Sequence, residues 1–157
     1  MITGNKSILF TCGELRLGGV EKSLIALLNS IDYQKYTVTL MLSNKSGDLI
    51  YQIPKQINVI LAPEIVNTPK FSKSSFKKDV VYILKNLDKA TSFIKAAYYA
   101  IRTNSKIARQ MYWSFIKNKI KDQKWTKTDY DIAISYAGGI GIWNQLIIDK
   151  INAKKKI

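Results

Sequence analysis

A short apolar run, a loop that ends in two glycines and an amphipathic segment open the chain. The run, residues 7–12, is rich in strand-forming side chains and is typical of a strand buried on both faces of a parallel sheet. After Gly18 and Gly19, apolar residues recur at helical spacing, at Val20, Leu24, Leu27, Leu28 and Ile31. The opening therefore predicts a strand, a loop and a helix, which is the first unit of a parallel α/β fold.

The same alternation continues to residue 62 and returns near the end of the chain. Residues 36–43 and 57–62 predict two further strands, and "GDLIYQIP" between them predicts a short helix that Pro54 ends. Later, residues 132–134 predict a short buried strand, "IWNQLIIDKI" a helix, and the final "NAKKKI" the first residues of another strand. We expect an α/β fold with a Rossmann-like parallel sheet flanked by helices. An ending inside a strand also suggests a truncated domain.

The segment between these two parts, residues 63–127, has a different pattern and most of the charge. A loop with prolines and serines is followed by helical periodicity from Phe76 to about Ile120, which predicts an insertion of two or three amphipathic helices. The 157 residues carry a net charge of +14, of which +12 falls on residues 70–127. Such a charge favours phosphates, nucleic acid or anionic lipid as partners.

Basic and aromatic residues are interleaved in this insertion. The pattern suits a face that lies on an anionic membrane, with these candidates: Lys77, Lys78, Lys85, Arg102, Lys106, Arg109 and Trp113. Solvated lysines on helices packed against the sheet would give the same pattern. Nucleic acid binding is disfavoured, because the sequence has no helix-turn-helix, ribonucleoprotein or zinc pattern.

The rare residue types exclude several classes of chemistry. Cys12 is the single cysteine, so no intrachain disulfide can form, and its place in an apolar run predicts a small buried residue. The chain has no histidine, which removes the commonest general base and metal ligand. We predict no metal site. No signal peptide or stretch of about 20 apolar residues is present, and we expect a cytoplasmic protein, peripheral on the inner face of the plasma membrane if the basic face binds lipid.

The glycine pair matches neither of the two well-known nucleotide loops. Gly13 and Gly18 have P-loop spacing, but Gly19 and Val20 stand where lysine and serine or threonine are required. The dinucleotide pattern lacks its third glycine. What remains is a glycine pair at a helix start, which can bind a phosphate through unpaired amides or form a tight turn and nothing more.

The opening resembles that of GT-B glycosyltransferases of the large retaining family that builds bacterial surface polysaccharides. The matching residues are Gly18, Gly19, Glu21 and Lys22, then Asp32, Lys35, Tyr36, Val38 and Leu40, then Gly47 and Leu49. "YDIAISYAGG" and "DKINAKKKI" are similar to the later strand, its glycine loop and the approach to the next strand. The likeness covers roughly residues 6–62 and 129–157, and the insertion between them is the part that varies most in this family.

The resemblance implies the first of two Rossmann-like domains, residues 1–157, which binds the acceptor. The second domain, absent from this chain, would bind the nucleotide-sugar donor and carry the acidic pair used in catalysis. No catalytic residue and no cofactor are therefore predicted here, and the chain alone is expected to transfer no sugar. Many relatives place a functional histidine in the first domain, and this chain has none.

By the same resemblance, Gly18 and Gly19 would face the donor diphosphate. Glu21 is an acceptor-side candidate, although an acid in a first helical turn is also favoured by the helix dipole. Tyr136, Gly138 and Gly139 follow a strand end, where ligands lie in open α/β sheets, and are further acceptor-side candidates unless they form a plain turn.

Two functions follow as hypotheses. The first is the acceptor-binding part of a retaining, hexosyl-type glycosyltransferase that moves a sugar from a nucleotide-sugar donor to a glycan or lipid-linked acceptor. The second is a basic α/β module without enzymatic activity, which docks on an anionic membrane or on nucleic acid.

Overall fold

A computed structural model describes residues 5–62, 113, 117, 120, 123–136 and 141–157. The strands are β1 (Lys6–Cys12), β2 (Tyr36–Leu42), β3 (Asn58–Leu61), β4 (Asp129–Ser135) and β5 (Asn152–Lys156). Helix α1 spans Gly19–Ser30 and helix α2 spans Gly141–Lys150, and 3₁₀ turns occupy Ile50–Gln52 and Lys124–Lys127. All of these strands belong to one compact unit.

The five strands form one sheet in the order β3-β2-β1-β4-β5, and every neighbouring pair is parallel. β1 is central and pairs with β2 along its whole length, from Lys6 opposite Tyr36 to Cys12 opposite Leu42. The chain thus moves outward from β1 to β3 and then returns to the other side of β1 with β4. This arrangement confirms the predicted Rossmann-like parallel sheet with flanking helices.

The two helices cover opposite faces of the sheet. The β1-to-β2 and β4-to-β5 crossovers run in opposite directions across the sheet, and right-handed crossovers then place α1 and α2 on opposite sides. The position of Trp143 in α2 agrees with this arrangement, because its indole nitrogen lies 3.9 Å from the position of a Cβ added at Gly13. The β1 residues that face α1 have even numbers, so by strand alternation Gly13 faces the opposite side of the sheet.

Alternate strand residues build the core beneath α1. Its members share near-complete burial, and they are Ile8, Phe10, Cys12, Val38, Leu40, Leu42, Leu24, Ile25 and Leu28. Cys12 is only 2% exposed, which confirms its prediction as a small buried residue. The alternating apolar residues of β1 and β2 therefore form the sheet side of this core.

The buried stripe of α1 differs from the set of apolar residues that recur at helical spacing in the sequence. Leu24 and Leu28 are fully buried, but Ile25 joins them at 5% exposure, whereas Leu27 and Val20 are 37% and 39% exposed. Positions 24, 25 and 28 lie on one helical face, and this is the face that α1 turns toward β1 and β2. Val20 and Leu27 share the helical spacing but lie toward solvent.

Other predicted elements are present with altered bounds. The helix expected in "GDLIYQIP" is a single 3₁₀ turn that ends before Pro54, and the final lysines lie in β5. β4 is seven residues long, so the three-residue prediction was too short. Its Ile132 and Ile134 are half-buried and border the α1-side core instead of lying inside it. The predicted insertion, residues 63–127, lies outside the described residues apart from 113, 117, 120 and 123–127.

A carboxylate ties three strands together. Asp131 Oδ2 accepts hydrogen bonds from the Ser7 backbone N–H at 2.8 Å and the Ser7 hydroxyl at 3.2 Å, and Oδ1 accepts one from Lys154 Nζ at 2.6 Å. The Lys154 ammonium, followed by the Ser7 amide, lowers the pKa of Asp131 from 3.8 to about 2. Asp131 therefore links β1, β4 and β5 while it is ionised.

We expect the Asp131 link to make the fold sensitive to acid. Because its pKa is lower in the folded than in the unfolded chain, its stabilisation is complete above about pH 4 and is lost as the pH falls toward about 2. The free energy of unfolding in urea should therefore fall more steeply over this range in wild type than in Asp131→Asn. Asp48→Asn, at an exposed loop position, should follow wild type. Parallel curves for wild type and Asp131→Asn would contradict this role.

Candidate functional site

The strand order predicts a binding site at the edge of the sheet where β1 and β4 end. The chain leaves β1 toward β2 on one side and reaches β4 on the other, so the carboxyl ends of β1 and β4 flank a topological switch point. In open α/β sheets, ligands bind in the crevice outside the strands at such a point. The segments that leave this edge are the loop from Gly13 to Gly18 after β1, and Tyr136 after β4.

The glycine pair stands at the start of α1, as predicted. Gly18 is the N-cap, with extended backbone angles and no side-chain cap from the described residues, and Gly19 is the first helical residue. The first-turn amides of a helix have no intrahelical partner, so the positive end of α1 faces this edge. Within the described part of the chain, a Cβ added at Gly19 would meet nothing within 4 Å. No packing contact with those residues therefore requires glycine at position 19.

Glu21 occupies the space beside Gly18. A Cβ added at Gly18 would overlap the Glu21 carboxylate, which folds back toward the N-cap from the third helical position. This is the position from which an acid completes a capping box, and its charge is favoured by the helix dipole. The missing side chain at Gly18 thus makes room for Glu21, so the two glycines have different structural surroundings.

Cys12 lies beneath this mouth but is not suited to act as a nucleophile. Burial, and after it the negative charge of Glu21, raises the pKa of the Cys12 thiol to about 11, and a hydrogen bond with the Gly13 backbone offsets only part of this. The thiolate, which is the reactive form, is therefore scarce near neutral pH.

The loop after β2 holds the loop from Gly13 to Gly18 in place by backbone hydrogen bonds. Leu15 N donates to Ser46 O at 3.3 Å, Leu49 N donates to Leu15 O at 3.0 Å, and Ser43 N donates to Gly13 O at 2.9 Å. Leu15 and Leu49 are also buried in the core. Two residues of the loop from Gly13 to Gly18 are therefore bonded to three residues of the loop after β2, and these bonds set its path.

Gly47 is the residue that allows the two loops to approach so closely. Its φ is +115°, and an added Cβ would overlap the backbone carbonyl of Leu15. Neither problem can be relieved by a side-chain rotation, because the neighbouring atoms are backbone. Gly47 is therefore required both by its own conformation and by the contact with Leu15.

We expect Gly47→Ala to lower the free energy of unfolding by about 3 kcal/mol, because it combines a strained backbone with a backbone overlap. Gly13→Ala is the matched control in the partner loop. Among the described residues its Cβ would meet only the Trp143 indole at 3.9 Å, an ordinary contact, so its cost should stay below about 1 kcal/mol. Urea unfolding measures the free energy of unfolding of both variants. An equal loss in the two would contradict the requirement for glycine at position 47.

Tyr136 joins the end of β4 to the first turns of α1. Its N–H donates to Thr11 O at 2.9 Å, and its ring packs edge-on against Phe10, with centroids 6.4 Å apart. Its hydroxyl lies 3.1 Å from Ser23 Oγ. The fold thus brings Tyr136 to the same edge as Gly18, Gly19 and Glu21, all of which the sequence had proposed as site residues.

Ser23 was missed by the sequence analysis. It lies on the exposed side of α1, where its type and spacing give no signal, and only the strand order places it beside Tyr136. Gly138 and Gly139, the other two acceptor-side candidates, lie outside the described residues.

Two hydroxyls at the switch point lack hydrogen-bond partners among the described residues. Thr11 near the end of β1 and Ser135 at the end of β4 are register partners, and their side-chain oxygens are both buried and unpaired. By strand alternation they face away from α1. Within the described part of the chain this pair is a local weakness, because a buried hydroxyl without a partner is unfavourable for stability.

We expect Thr11→Val to leave the free energy of unfolding unchanged or to raise it by up to about 1 kcal/mol, because the shape is kept and an unpaired hydroxyl is removed. Thr39→Val is the matched control, since Thr39 is buried with the same strand parity but shares a hydrogen bond with Tyr130. That variant should lose about 1 kcal/mol. A loss of stability in Thr11→Val comparable to the control would mean that the Thr11 hydroxyl has a partner in solution.

The remaining predicted features fall largely outside the described residues. The basic membrane candidates Lys77, Lys78, Lys85, Arg102, Lys106 and Arg109 are in this group, whereas Trp113 is helical and half-buried. In the described part of the chain, no group of three or more cysteine, aspartate or glutamate side chains is placed to hold a metal ion. No helix in that part is long and apolar enough to cross a membrane.

Comparisons of the chain with protein-family models, with curated proteins and with solved structures find no match. A function is therefore inferred from the geometry of the sheet edge and from the residues that line it.

Proposed function

We propose that the chain is the acceptor-side domain of a retaining GT-B glycosyltransferase that moves a sugar from a nucleotide-sugar donor to a glycan or lipid-linked acceptor. The observation that carries the proposal is the open helix mouth at Gly19, placed at the topological switch point. The likeness of the opening sequence to these enzymes supports the same assignment. A Rossmann-like sheet alone would leave the activity undefined, because one fold hosts many functions.

The α1 mouth would hold part of the donor diphosphate. Its first-turn amides and dipole favour an anion, and the absence of a side chain at Gly19 leaves room for a phosphate to reach the backbone. The Glu21 carboxylate beside Gly18 would oppose a second negative charge. Diphosphate binding would therefore require the flexible Glu21 side chain to turn away from the N-cap.

The acceptor would lie on the β4 side of the same edge. Tyr136 and Ser23 present neutral hydroxyl groups there, which suit the hydroxyls of a glycan better than a charged ligand. The edge would then hold a charged ligand part at α1 and a neutral part at Tyr136, in the order that transfer from a nucleotide sugar to a glycan requires.

In the proposed enzyme a second domain supplies the donor pocket and the acidic residues, so this chain contributes binding and orientation. The basic insertion would hold the domain at the inner face of the plasma membrane, where lipid-linked acceptors are found. Its charge of +12 over residues 70–127 supports an anionic surface as partner.

The same charge favours one alternative, a non-enzymatic basic module that binds an anionic membrane or nucleic acid. This module would need no open mouth at Gly19 and no contact between Ser23 and Tyr136. Sugar transfer that depends on Gly19 therefore separates the two functions.

We expect Gly19→Val, in the protein that carries both domains, to reduce sugar transfer at least about tenfold while changing the stability by no more than about 1 kcal/mol. A Cβ at this position meets no atom of the described residues within 4 Å, so the valine side chain would occupy the approach of the phosphate. Gly141→Val is the matched control, because Gly141 is also the first residue of a helix and its Cβ would also meet no described atom within 4 Å. If Gly19→Val transfers sugar at the wild-type rate, Gly18 and Gly19 form only a turn, and the main support for the proposal is lost.

A further inference from the structure

The hydrogen bonds around Ser23 fix the direction in which Tyr136 can bond. The Ser23 hydroxyl has one proton, which it donates to the Val20 carbonyl oxygen at 2.9 Å. The 3.1 Å contact between Ser23 Oγ and the Tyr136 hydroxyl must then use the tyrosine proton, so Tyr136 donates and Ser23 accepts.

As a result, the Tyr136 oxygen has no proton left for a ligand. It presents only lone pairs to the sheet edge, and it can accept a hydrogen bond but cannot give one. The ring is held in place by its contact with Phe10 and by the bond from Tyr136 N to Thr11 O, so the oxygen is presented from a fixed position.

We propose that Ser23 and Tyr136 form a specificity element that selects a ligand group able to donate a hydrogen bond, such as a sugar hydroxyl, and rejects groups that only accept. This inference rests on the proposed function, because it describes the acceptor side of that site. Ser23 is the positioning residue, and Tyr136 is the residue that contacts the ligand. The selection follows from the single proton of each hydroxyl and needs no charged residue.

Two glycosides test this selection. The probes are a methyl hexopyranoside and its per-O-methylated form, which keeps every oxygen but has no hydroxyl proton. Nuclear magnetic resonance titration of the 157-residue chain, with Tyr136 and the α1 amides as reporters, measures both dissociation constants. A panel of hexoses covers the unknown sugar identity. Wild type should bind a hydroxyl-bearing glycoside at least about fivefold more tightly than its methylated form, the ratio that one hydrogen bond gives.

The variants separate the roles of the two side chains. Ser23→Ala leaves the tyrosine proton free to donate, so the preference for the hydroxyl-bearing glycoside should shrink by about fivefold. Tyr136→Phe should weaken binding of the hydroxyl-bearing glycoside. Ser30→Ala is the control on the same helix, because Ser30 also donates to a carbonyl three residues earlier, at 2.8 Å, and it should keep the wild-type preference. A wild-type preference in Ser23→Ala would overturn the inference, as would no binding of any glycoside at Tyr136.

Transfer assays with the two-domain protein keep this inference separate from the proposed function. Sugar transfer with unaltered acceptor selectivity in Ser23→Ala would overturn the specificity element and retain the transferase. Glycoside binding with the predicted preference, but without transfer from any nucleotide sugar, would retain the specificity element and overturn the transferase.

Discussion

The carboxyl edge of the sheet depends on a backbone contact between two loops. Gly47 lies against the Leu15 carbonyl, and the hydrogen bonds around Leu15 and Leu49 follow from that approach. Because Leu15 is also fully buried, the loop after β1 is anchored at its middle and opens onto α1 at Gly18. The position of the α1 mouth is thus determined by a residue outside the β1–α1 unit itself.

On this anchored edge, charge and polarity are arranged in two parts. The dipole of α1 and the Glu21 carboxylate occupy the side nearest β1, while the hydroxyls of Tyr136 and Ser23 lie toward β4. Cys12 beneath the mouth keeps its proton, and no metal-binding group is found in the described part of the chain. The described edge thus combines a positive helix end with a neutral pair of hydroxyl groups.

The sequence predicted β1 and β2 well because their apolar residues are packed on both faces. β1 and β2 agree within one residue at each end, since the strands are bounded by polar loops. The packed face of α1 could not be assigned from spacing alone, because Val20 and Leu27 fit the helical period as well as Ile25 does. Their burial depends on the direction in which α1 crosses the sheet, which is a property of the tertiary packing.

The candidate site was only partly accessible to prediction. Gly18, Gly19 and Glu21 are close in sequence and share a local pattern, so they could be identified together. The contact between Ser23 and Tyr136 and the unpaired Thr11 and Ser135 depend on the pairing of β1 with β4, across more than 100 intervening residues. Because no local spacing predicts that pairing, these contacts follow only from the strand order of the folded sheet.

A titration of the labelled chain with inorganic pyrophosphate measures whether the mouth of α1 binds an anionic ligand. We expect saturable shifts of the Gly19, Val20 and Glu21 amides, with tighter binding in Glu21→Gln because the competing carboxylate charge is removed. Shifts confined to the amides of the lysine-rich strand β5, or equal affinity in wild type and Glu21→Gln, would contradict it.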